Sequence, residues 1–395
     1  MNINYRSNSN SPVAGAARIC MPVFSRFTRK AFRCGLYEAQ EVLTSTNDVD
    51  VIALEASGSL PWRKELQRIA MYHDFSRRLV FMNPGIEPVR LTREYDLFLA
   101  VCQSCWDIPY FNAVQGWKEK CKASACWIEE AWAASLPGYK YFLHALRQFD
   151  YIFVAFRSSV EPLSKLIGKE CIWLPGGVDT LRFRPRHADL ARCIDVYSIG
   201  RREERIHDKL LESAKRNEIF YLHDTFQTLS DRDVIDPNQH RDVYASLAKR
   251  SQYFLVAPGK LNATSETGGQ GEVGYRFFEG AAAGAVLIGQ KPIGQAFTDL
   301  FEWPDAVVEI DPDGSDVLSA LADLASRPAY AQSMSRRNTS ECLLRHDWIY
   351  RWAQILETVG MRPSVSMEGR QGGLKTVAAQ FCRSESELSA AGILR

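Results

Sequence analysis

The stretch that decides the fold is GEVGYRFFEGAAAGAVLIGQ, residues 271–290. It opens with glycines and polar residues, passes through two phenylalanines and Glu279, and ends in small residues followed by an apolar run. This order predicts a loop, a helix over 274–284 and a buried strand over 285–290. The small residues 281–284 would let the helix pack closely on a sheet. Ligands of open parallel sheets bind where strands end and helices begin, so the loop is a candidate site.

The carboxylate of Glu279 is the unusual feature of this helix. A helix that begins near Gly274 directs free backbone N–H groups at an anion. A carboxylate there cannot help to bind phosphate, but it accepts hydrogen bonds from neutral hydroxyls such as those of ribose. Taken alone, the pattern favours a surface glutamate on an amphipathic helix. The motifs elsewhere in the chain favour a binding role for Glu279 over a surface position.

Outward from this stretch, apolar strands alternate with amphipathic helices in both halves of the chain. The clearest strand patterns are DVDVIALEA (48–56), YDLFLAVCQS (95–104), CIDVYSIG (193–200) and SQYFLVAPG (251–259). Such alternation predicts parallel sheets covered by helices on both faces. The fold class is therefore α/β, with two Rossmann-like doubly wound domains.

The domain boundaries follow from composition. A Pro- and Gly-rich stretch between the halves reads as a linker, and both ends of the chain lose their periodicity, which indicates loose order. The predicted segments are a flexible tail at 1–16, an N-terminal domain at 17–175, a linker at 176–192, a C-terminal domain at 193–345, a helix at 346–360 and a loosely ordered tail at 361–395.

Charge and cysteine usage exclude several classes of protein. Forty-eight basic and forty-seven acidic residues leave a formal charge of +1, which argues against a nucleic-acid or anionic-membrane partner. No run reaches the ~18 apolar residues of an integral membrane segment. Ten scattered cysteines favour reduced core thiols and a cytoplasmic location. Cys102, Cys105, Cys121 and Cys126 are interpreted as core thiols rather than a zinc site, because their spacing differs from that of two close pairs.

Four motifs resemble those of GT-B glycosyltransferases of group 1, the family-four-like retaining class that uses nucleotide-sugar donors. EVGYRFFEGAAAGAVLIG (272–289) resembles the donor-site signature, with Arg276 three residues before the glutamate. CIWLPGGVDTLRFRP (171–185) resembles the interdomain hinge, and DVYSIGRREERIHDKLL (195–211) the first strand, loop and helix of the donor domain. LLRHDWIYRWAQIL (343–356) resembles the terminal helix.

This resemblance implies a GT-B fold whose last helix crosses back to the first domain. It implies transfer of a sugar from a UDP- or GDP-sugar to a hydroxyl-bearing acceptor, with retention of configuration. Neither a metal nor a cofactor is expected, because arginines and a helix N-terminus take the place of a metal. Two alternatives remain open: a sugar-nucleotide epimerase on the same fold, and a non-catalytic nucleotide-binding subunit.

The candidate donor site collects residues from two motifs of the C-terminal half. Cations after Gly200 would stabilise the diphosphate as its charge develops. The predicted nucleotide-binding residues are Gly200, Arg201, Arg205, Lys209, Gly274, Tyr275, Arg276 and Glu279. Arg201, Arg205 and Glu272 are the predicted catalytic residues.

Glu272 departs from the family pattern. The first of two glutamates normally lies seven residues before the second, and Gly271 occupies that position. Glu272 with a shifted loop, or Glu266, would then contact the transferred sugar.

The acceptor side is assigned to the first domain. Ser25 and Arg26 lie in the first strand–helix turn, and Glu129 and Glu130 follow a strand. One of the two glutamates would orient an acceptor hydroxyl; an exposed acidic turn is the alternative.

Overall fold

Two parallel sheets, one in each half of the chain, organise the computed structural model, which describes residues 18–70, 81–187, 190–225 and 233–390. In chain order the described strands are β1 (Ile19–Val23), β2 (Val49–Ala53), β3 (Val89–Arg90), β4 (Tyr95–Ser104), β5 (Val114–Gln115), β6 (Cys121–Glu130), β7 (Tyr151–Val154), β8 (Ile172–Trp173), β9 (Ile194–Ser198), β10 (Tyr221–His223), β11 (Ser251–Val256), β12 (Val286–Gly289) and β13 (Val308–Glu309). The first sheet has the order β2-β1-β4-β6-β7-β8 and the second β10-β9-β11-β12-β13, while β3 and β5 form a small separate pair. All of these pairings are parallel.

Helices cover both faces of each sheet. In chain order the described α-helices are α1 (Cys34–Thr46), α2 (Leu60–Ala70), α3 (Trp117–Lys120), α4 (Lys140–Leu143), α5 (Arg157–Ile167), α6 (Thr180–Phe183), α7 (Glu204–Lys215), α8 (Pro237–Lys249), α9 (Thr264–Thr267), α10 (Tyr275–Ala282), α11 (Gln295–Leu300), α12 (Val317–Ser326), α13 (Pro328–Arg345), α14 (Trp348–Thr358) and α15 (Val365–Ala390). Short 3-10 helices span Ala31–Arg33, Cys105–Ala113, Ala133–Tyr139 and His144–Gln148. The described helices include none long and apolar enough to cross a lipid bilayer.

The predicted doubly wound architecture is confirmed by the core. Each sheet has an apolar cluster on both of its faces, so strands such as β4 are buried along almost their whole length. Cys102, Cys105 and Cys126 belong to one of these clusters, and the Sγ atoms of Cys102 and Cys126 lie 3.7 Å apart.

The crossing helix is α14, as the family resemblance implied. Trp348 and Trp352 are each 1% exposed and lie edge-on to Trp127 of the first sheet. The Trp352 indole Nε1 donates a 2.8 Å hydrogen bond to the carbonyl of Ala39 in α1. Residues from the far end of the chain thereby complete the core of the N-terminal domain.

Two C-terminal elements differ from the sequence-based expectations. The pattern over 329–359 predicts one helical stretch, but the structure breaks it at His346 and Asp347, where the Asp347 carboxylate caps α14 through Ile349 N. Residues 361–395 were expected to be loosely ordered, yet most of them form α15. Its apolar residues Met367, Leu374, Ala378 and Phe381 are buried against the first domain.

Arg370 fixes α15 to the hinge. Its guanidinium lies 2.7 Å from Asp179 of the linker and 2.8 Å from Asp347. The helical period was hidden in the sequence by glycines 369, 372 and 373, whose low helix propensity is offset by tertiary packing. The tail predicted at 1–16 lies outside the described residues.

Close packing of α10 on the second sheet is confirmed and depends on Gly280. A Cβ atom at this position would lie 2.6 Å from Leu287 and 2.9 Å from Phe254. The following alanines, 281–283, are at most 1% exposed. The helix therefore lies close against β11 and β12, with Glu279 held near their carboxyl ends.

Candidate functional site

A cleft of about 1060 Å³ separates the carboxyl ends of the two sheets. Its N-terminal wall includes Glu129, Trp132 and Phe156, and its C-terminal wall includes Arg201 and Glu279. The predicted loop 271–274 lies between the walls. The strand–loop–helix order of the sequence thus places the candidate residues where ligands of open sheets bind.

Glu279 is not a surface residue. It is 4% exposed, and both of its carboxylate oxygens accept hydrogen bonds from α8: Oε1 from Arg241 Nη1 at 2.5 Å and Oε2 from the Tyr244 hydroxyl at 2.7 Å. The carboxylate still borders the cleft. Because each carboxylate oxygen has a second lone pair, Glu279 retains capacity to accept a ligand hydroxyl.

Arg241 joins Glu279 to the other domain. Its Nε and Nη2 atoms lie 2.8 Å and 3.1 Å from the carboxylate of Glu38 in α1. Glu38 is fully buried and also accepts hydrogen bonds from the Asp179 amide and the Trp348 indole. The buried chain Glu38–Arg241–Glu279 therefore links α1, the hinge, α14 and the donor-side helix.

The N-terminus of α10 opens into the cleft at Gly274, which is the N-cap and lacks a side-chain capping bond. Next to it, Arg276 donates through Nη1 to the carbonyl of Arg201. Burial lowers the pKa of Arg276. Gly200 borders the cleft, with its amide donating to the Asp224 carboxylate at 3.0 Å. Free helix N–H groups and the Arg201 side chain thus make this end of the cleft positive.

Arg205 and Lys209 lie elsewhere. Arg205 is exposed and borders a separate shallow depression with Asp311 and Asp313, and Lys209 lies near the same Asp313. Both residues lie on the face of α7 that borders this depression, and neither lines the cleft. Their predicted diphosphate contact finds no support in this arrangement.

Glu272 lies inside the cleft but is already engaged. It is 3% exposed and accepts hydrogen bonds from the Ser158 hydroxyl and, at 2.7 Å, from Gln270 Nε2. Burial raises its pKa. The alternative residue, Glu266, is exposed and lies 2.8 Å from Lys260. Both glutamates line the cleft, and Glu272 is the more deeply buried of the two.

Of the two predicted acceptor-side pairs, one lines the cleft and the other does not. Glu129 and Glu130 both line the cleft at the end of β6, and Glu130 lies 2.7 Å from Lys260. Ser25 is buried beneath the turn, while Arg26 is exposed and ion-paired with Glu55. The first strand–helix connection reaches the cleft through residues 31–35 instead.

Sequence reasoning missed Arg241, Lys260 and Gln103. Arg241 lies on an ordinary helix, and its partner Glu38 is 203 positions away in the sequence. Lys260 lies in a loop, and its partner Glu130 belongs to the other domain. The one available signal was the placement of Gln103 and Glu129 at the ends of two predicted strands, which parallel sheets bring to the same edge.

Comparisons with known proteins agree with this geometry. Residues 201–357 match the family described as glycosyl transferase-like. No curated protein sequence matches the chain.

Three solved structures illustrate the structural likeness. An alpha-glucosyltransferase in complex with UDP-glucose and DNA containing an abasic site is 11% identical, with a TM-score of 0.54 over 87% of this chain and 99% of that one. The N-terminal domain of Candida albicans trehalose-6-phosphate phosphatase is 9% identical, with a TM-score of 0.55 over 89% and 98%. An alpha-glucosyltransferase in complex with UDP is 10% identical, with a TM-score of 0.51 over 87% and 99%.

The TM-scores show likeness of fold alone, and the family match covers the C-terminal part. Residues 201–357 carry the glycosyl transferase-like pattern, and the chain as a whole has the GT-B fold, so the predicted resemblance to group 1 GT-B glycosyltransferases is confirmed.

Proposed function

We propose that this protein transfers a hexose from a UDP- or GDP-sugar to an acceptor hydroxyl, with retention of configuration and without a metal or a cofactor. The observation that carries the proposal is the convergence of Gly274, Arg201 and Glu279 on one end of the cleft. A helix N-terminus and a cation suit a diphosphate, and a carboxylate beside them suits the ribose. The similar proteins solved with UDP or UDP-glucose support a nucleotide-sugar ligand.

In the proposed reaction the bond between the sugar C1 and the diphosphate oxygen breaks. The leaving diphosphate keeps the electron pair, and its charge is stabilised by Arg201 and the free N–H groups of α10. Glu272 faces the sugar from the loop. The acceptor oxygen, approaching from the N-terminal wall, forms the new bond to C1 on the face that the diphosphate leaves. A diphosphate oxygen accepts the hydroxyl proton.

Binding and product analysis test the proposal. We expect UDP or GDP to raise the melting temperature, and we expect the matching nucleotide sugar to release nucleotide slowly in the absence of an acceptor. Release with EDTA present should be unchanged. Arg201→Ala should slow release by about 100-fold or more, as for loss of one oxyanion-stabilising group. Lys215→Ala, an exposed cation at the other end of α7, serves as the matched control.

Other outcomes would favour the alternatives. Conversion of the nucleotide sugar into its epimer without an acceptor would indicate an epimerase. Nucleotide binding without release from any donor would indicate a non-catalytic subunit. We also place the protein in the cytoplasm, because buried unpaired thiols such as Cys20 and Cys342 are typical of a reducing compartment.

A further inference from the structure

The loop of residues 199–203, here called the Arg201 loop, is held on both sides of Arg201. The Gly200 amide before it donates a 3.0 Å hydrogen bond to the Asp224 carboxylate. The Arg202 side chain after it is bound to the same carboxylate, and the Arg201 carbonyl accepts a hydrogen bond from Arg276 Nη1. The Arg201 guanidinium makes no hydrogen bond or ion pair with the described residues, and Arg201 borders the cleft. A fixed stretch of backbone therefore carries an unpaired cation at the cleft.

The second sheet places Asp224 at the Arg201 loop. Strands β9 and β10 are parallel, and their register pairs Ser198 with His223. The two strands therefore end side by side, and the first residue after β10, Asp224, lies next to the loop that follows β9. Gly200 in this loop has a φ of +73°, a left-handed conformation that glycine adopts at little cost. The register and this turn together bring the Gly200 amide to the Asp224 carboxylate.

The ion pair between Asp224 and Arg202 is the second contact that holds the loop. Arg202 Nη1 donates to Asp224 Oδ1 at 2.6 Å, and Nη2 donates to the Asp224 carbonyl at 2.8 Å. The two side chains are only 15% and 13% exposed. Charge-assisted hydrogen bonds are stronger than neutral ones, and a two-pronged contact also fixes the direction of the guanidinium. Arg202 thus holds the loop, while Arg201 next to it is available to bind a ligand.

The negative charge of Asp224 is unexpected so close to a site for a diphosphate. By its charge alone, a carboxylate beside an anion-binding group opposes the binding of an anion. Its hydrogen bonds have the opposite effect, because they restrict the backbone of the Arg201 loop before a ligand arrives. A group that is already ordered loses less conformational freedom on binding and therefore binds more tightly. The two effects of Asp224 on nucleotide affinity thus differ in sign, so they are separable by experiment.

We propose that Asp224 is a positioning residue that holds the Arg201 loop so that the Arg201 guanidinium meets the diphosphate. Asp224 does not touch the ligand and acts through Arg201. Arg202 and Arg276 support the same loop from its two sides. The inference rests on the proposed function for the identity of the ligand, and it deepens that proposal by naming the group that preorganises its cation.

Nucleotide affinity in a double-variant cycle tests the proposal on the full chain. UDP and GDP are titrated by calorimetry into the unchanged protein, Asp224→Ala, Arg201→Ala and the double variant. For the nucleotide that binds, we expect Arg201→Ala to weaken affinity by about tenfold or more, as for loss of a charge-assisted hydrogen bond, and Asp224→Ala by about five- to tenfold. The double variant should bind within about twofold of Arg201→Ala, because Asp224 acts only through Arg201.

The conservative variant Asp224→Asn measures how much of the effect its hydrogen bond to Gly200 provides. Asparagine keeps an oxygen that accepts from the Gly200 amide but lacks the charge that pairs with Arg202. We expect it to recover most of the affinity, with a remaining loss of about two- to threefold that disappears when Arg201 is replaced by alanine. If Asp224→Ala does not fold, the cycle with Asp224→Asn decides the question.

Asp195→Ala is the matched control for loss of a structural carboxylate. Asp195 lies at the start of β9 and accepts hydrogen bonds from Phe220 N at 2.7 Å and Gln252 Nε2 at 2.9 Å. It therefore also joins a backbone amide and a side-chain donor, but at the opposite end of the strand from the Arg201 loop. We expect Asp195→Ala to leave the nucleotide affinity within about twofold of the unchanged protein.

The sign of the change separates positioning from simple electrostatics. If Asp224 acted by its charge alone, its removal would strengthen nucleotide binding and leave Arg202 as an additional unpaired cation. Unchanged or tighter binding by both Asp224 variants, losses that multiply in the double variant, or an equal loss for Asp195→Ala would overturn the inference and leave the proposed function intact. Absence of UDP and GDP binding in the unchanged protein would instead refute the proposed function and this inference with it.

Discussion

Arg241 is the residue on which the centre of the molecule depends most. It is 4% exposed and pairs with two buried carboxylates, Glu38 and Glu279. Removing one partner from a buried ion pair costs about 3–5 kcal/mol, because the remaining charge stays buried. We expect Arg241→Met to lower the free energy of unfolding by about this amount, measured by urea denaturation with tryptophan fluorescence.

Two further variants serve as controls for Arg241→Met: one keeps a positive charge at position 241, and the other removes an exposed arginine. Arg241→Lys should recover only part of the loss, because a single ammonium group cannot reach both carboxylates with the fork of a guanidinium. Arg250→Met, one residue beyond the end of the same helix and exposed, should change stability by less than about 0.5 kcal/mol. Equal losses for Arg241→Met and Arg250→Met would contradict the buried network.

Glu38 gives this network a defined pH dependence. Burial by itself would raise its pKa, but Arg241 and then Arg182 outweigh that effect, and the pKa lies below its ordinary value of 4.5. A carboxylate whose pKa is lower in the folded state contributes stability above its unfolded pKa, and this contribution is lost as the pH falls. We therefore expect the stability gap between the unchanged protein and Glu38→Gln to be constant near neutral pH and to narrow below about pH 4.5.

Urea midpoints measured from about pH 3 to pH 8 would check this prediction. A gap that widens on acidification would mean that the pKa of Glu38 is raised, not lowered, in the folded protein.

The contrast between Glu279 and Arg241 shows what a sequence discloses at the residue scale. Glu279 was predicted to lie at the site because its own neighbours, a glycine-rich loop and a block of small residues, define a local structure. Arg241 lies on an amphipathic helix whose pattern is that of any surface helix. Arg241 is buried because it pairs with Glu38 of the other domain. The local sequence pattern around Arg241 does not predict that contact.

At the scale of elements, the contact between α10 and the second sheet is the one that positions Glu279. Gly280→Ala would bring a Cβ atom within 2.6 Å of Leu287. We expect this change to lower the free energy of unfolding by about 1–3 kcal/mol, because overpacking displaces neighbouring side chains. Gly369→Ala provides a control of opposite sign: it lies in α15, is exposed, and a Cβ atom there would meet nothing within 4 Å.

We expect Gly369→Ala to stabilise the protein by up to about 1 kcal/mol, since alanine has the higher helix propensity. Thermal unfolding of both variants measures the two effects side by side. Destabilisation by both changes would show that α15 does not pack as described.

The helix α15 also shows why some elements could not be predicted from the sequence. Strands such as β4 have a continuous apolar run that local patterns reveal, and its predicted range 95–104 is the observed one. The α15 segment has glycines at the positions where its period would be read, and its buried side chains require the core of the first domain as a partner. Its stability comes from tertiary contacts, which a local pattern does not contain.

At the scale of the molecule, the two domains are held in a closed arrangement by the loop that follows β11. The Gln270 side chain accepts a 3.0 Å hydrogen bond from Ala133 N, and the Glu266 carbonyl accepts one of 2.8 Å from the Ser135 hydroxyl. Lys260 bridges Glu130 of the first domain and Glu266 of its own loop. The sequence predicted two facing domains, but these interdomain contacts join residues 130 or more positions apart and depend on how the domains are arranged.

Lys260 is the charged group of this closure, so its removal should loosen the cleft around a bound nucleotide. Its side chain is 26% exposed, and such partly exposed ion pairs contribute about 0.2–1 kcal/mol. We expect Lys260→Met to raise the dissociation rate of a fluorescent nucleoside diphosphate by about two- to fivefold, measured by stopped-flow displacement. Added salt should accelerate dissociation from the unchanged protein and have less effect on the variant, because the screened interaction is already missing.

The control variant is Lys291→Met. It removes a comparable surface ion pair, with Glu309 at 3.1 Å, that lies within the C-terminal domain, and it should leave the dissociation rate unchanged. Equal rates for Lys260→Met and Lys291→Met would show that nucleotide retention does not depend on closure of the two domains.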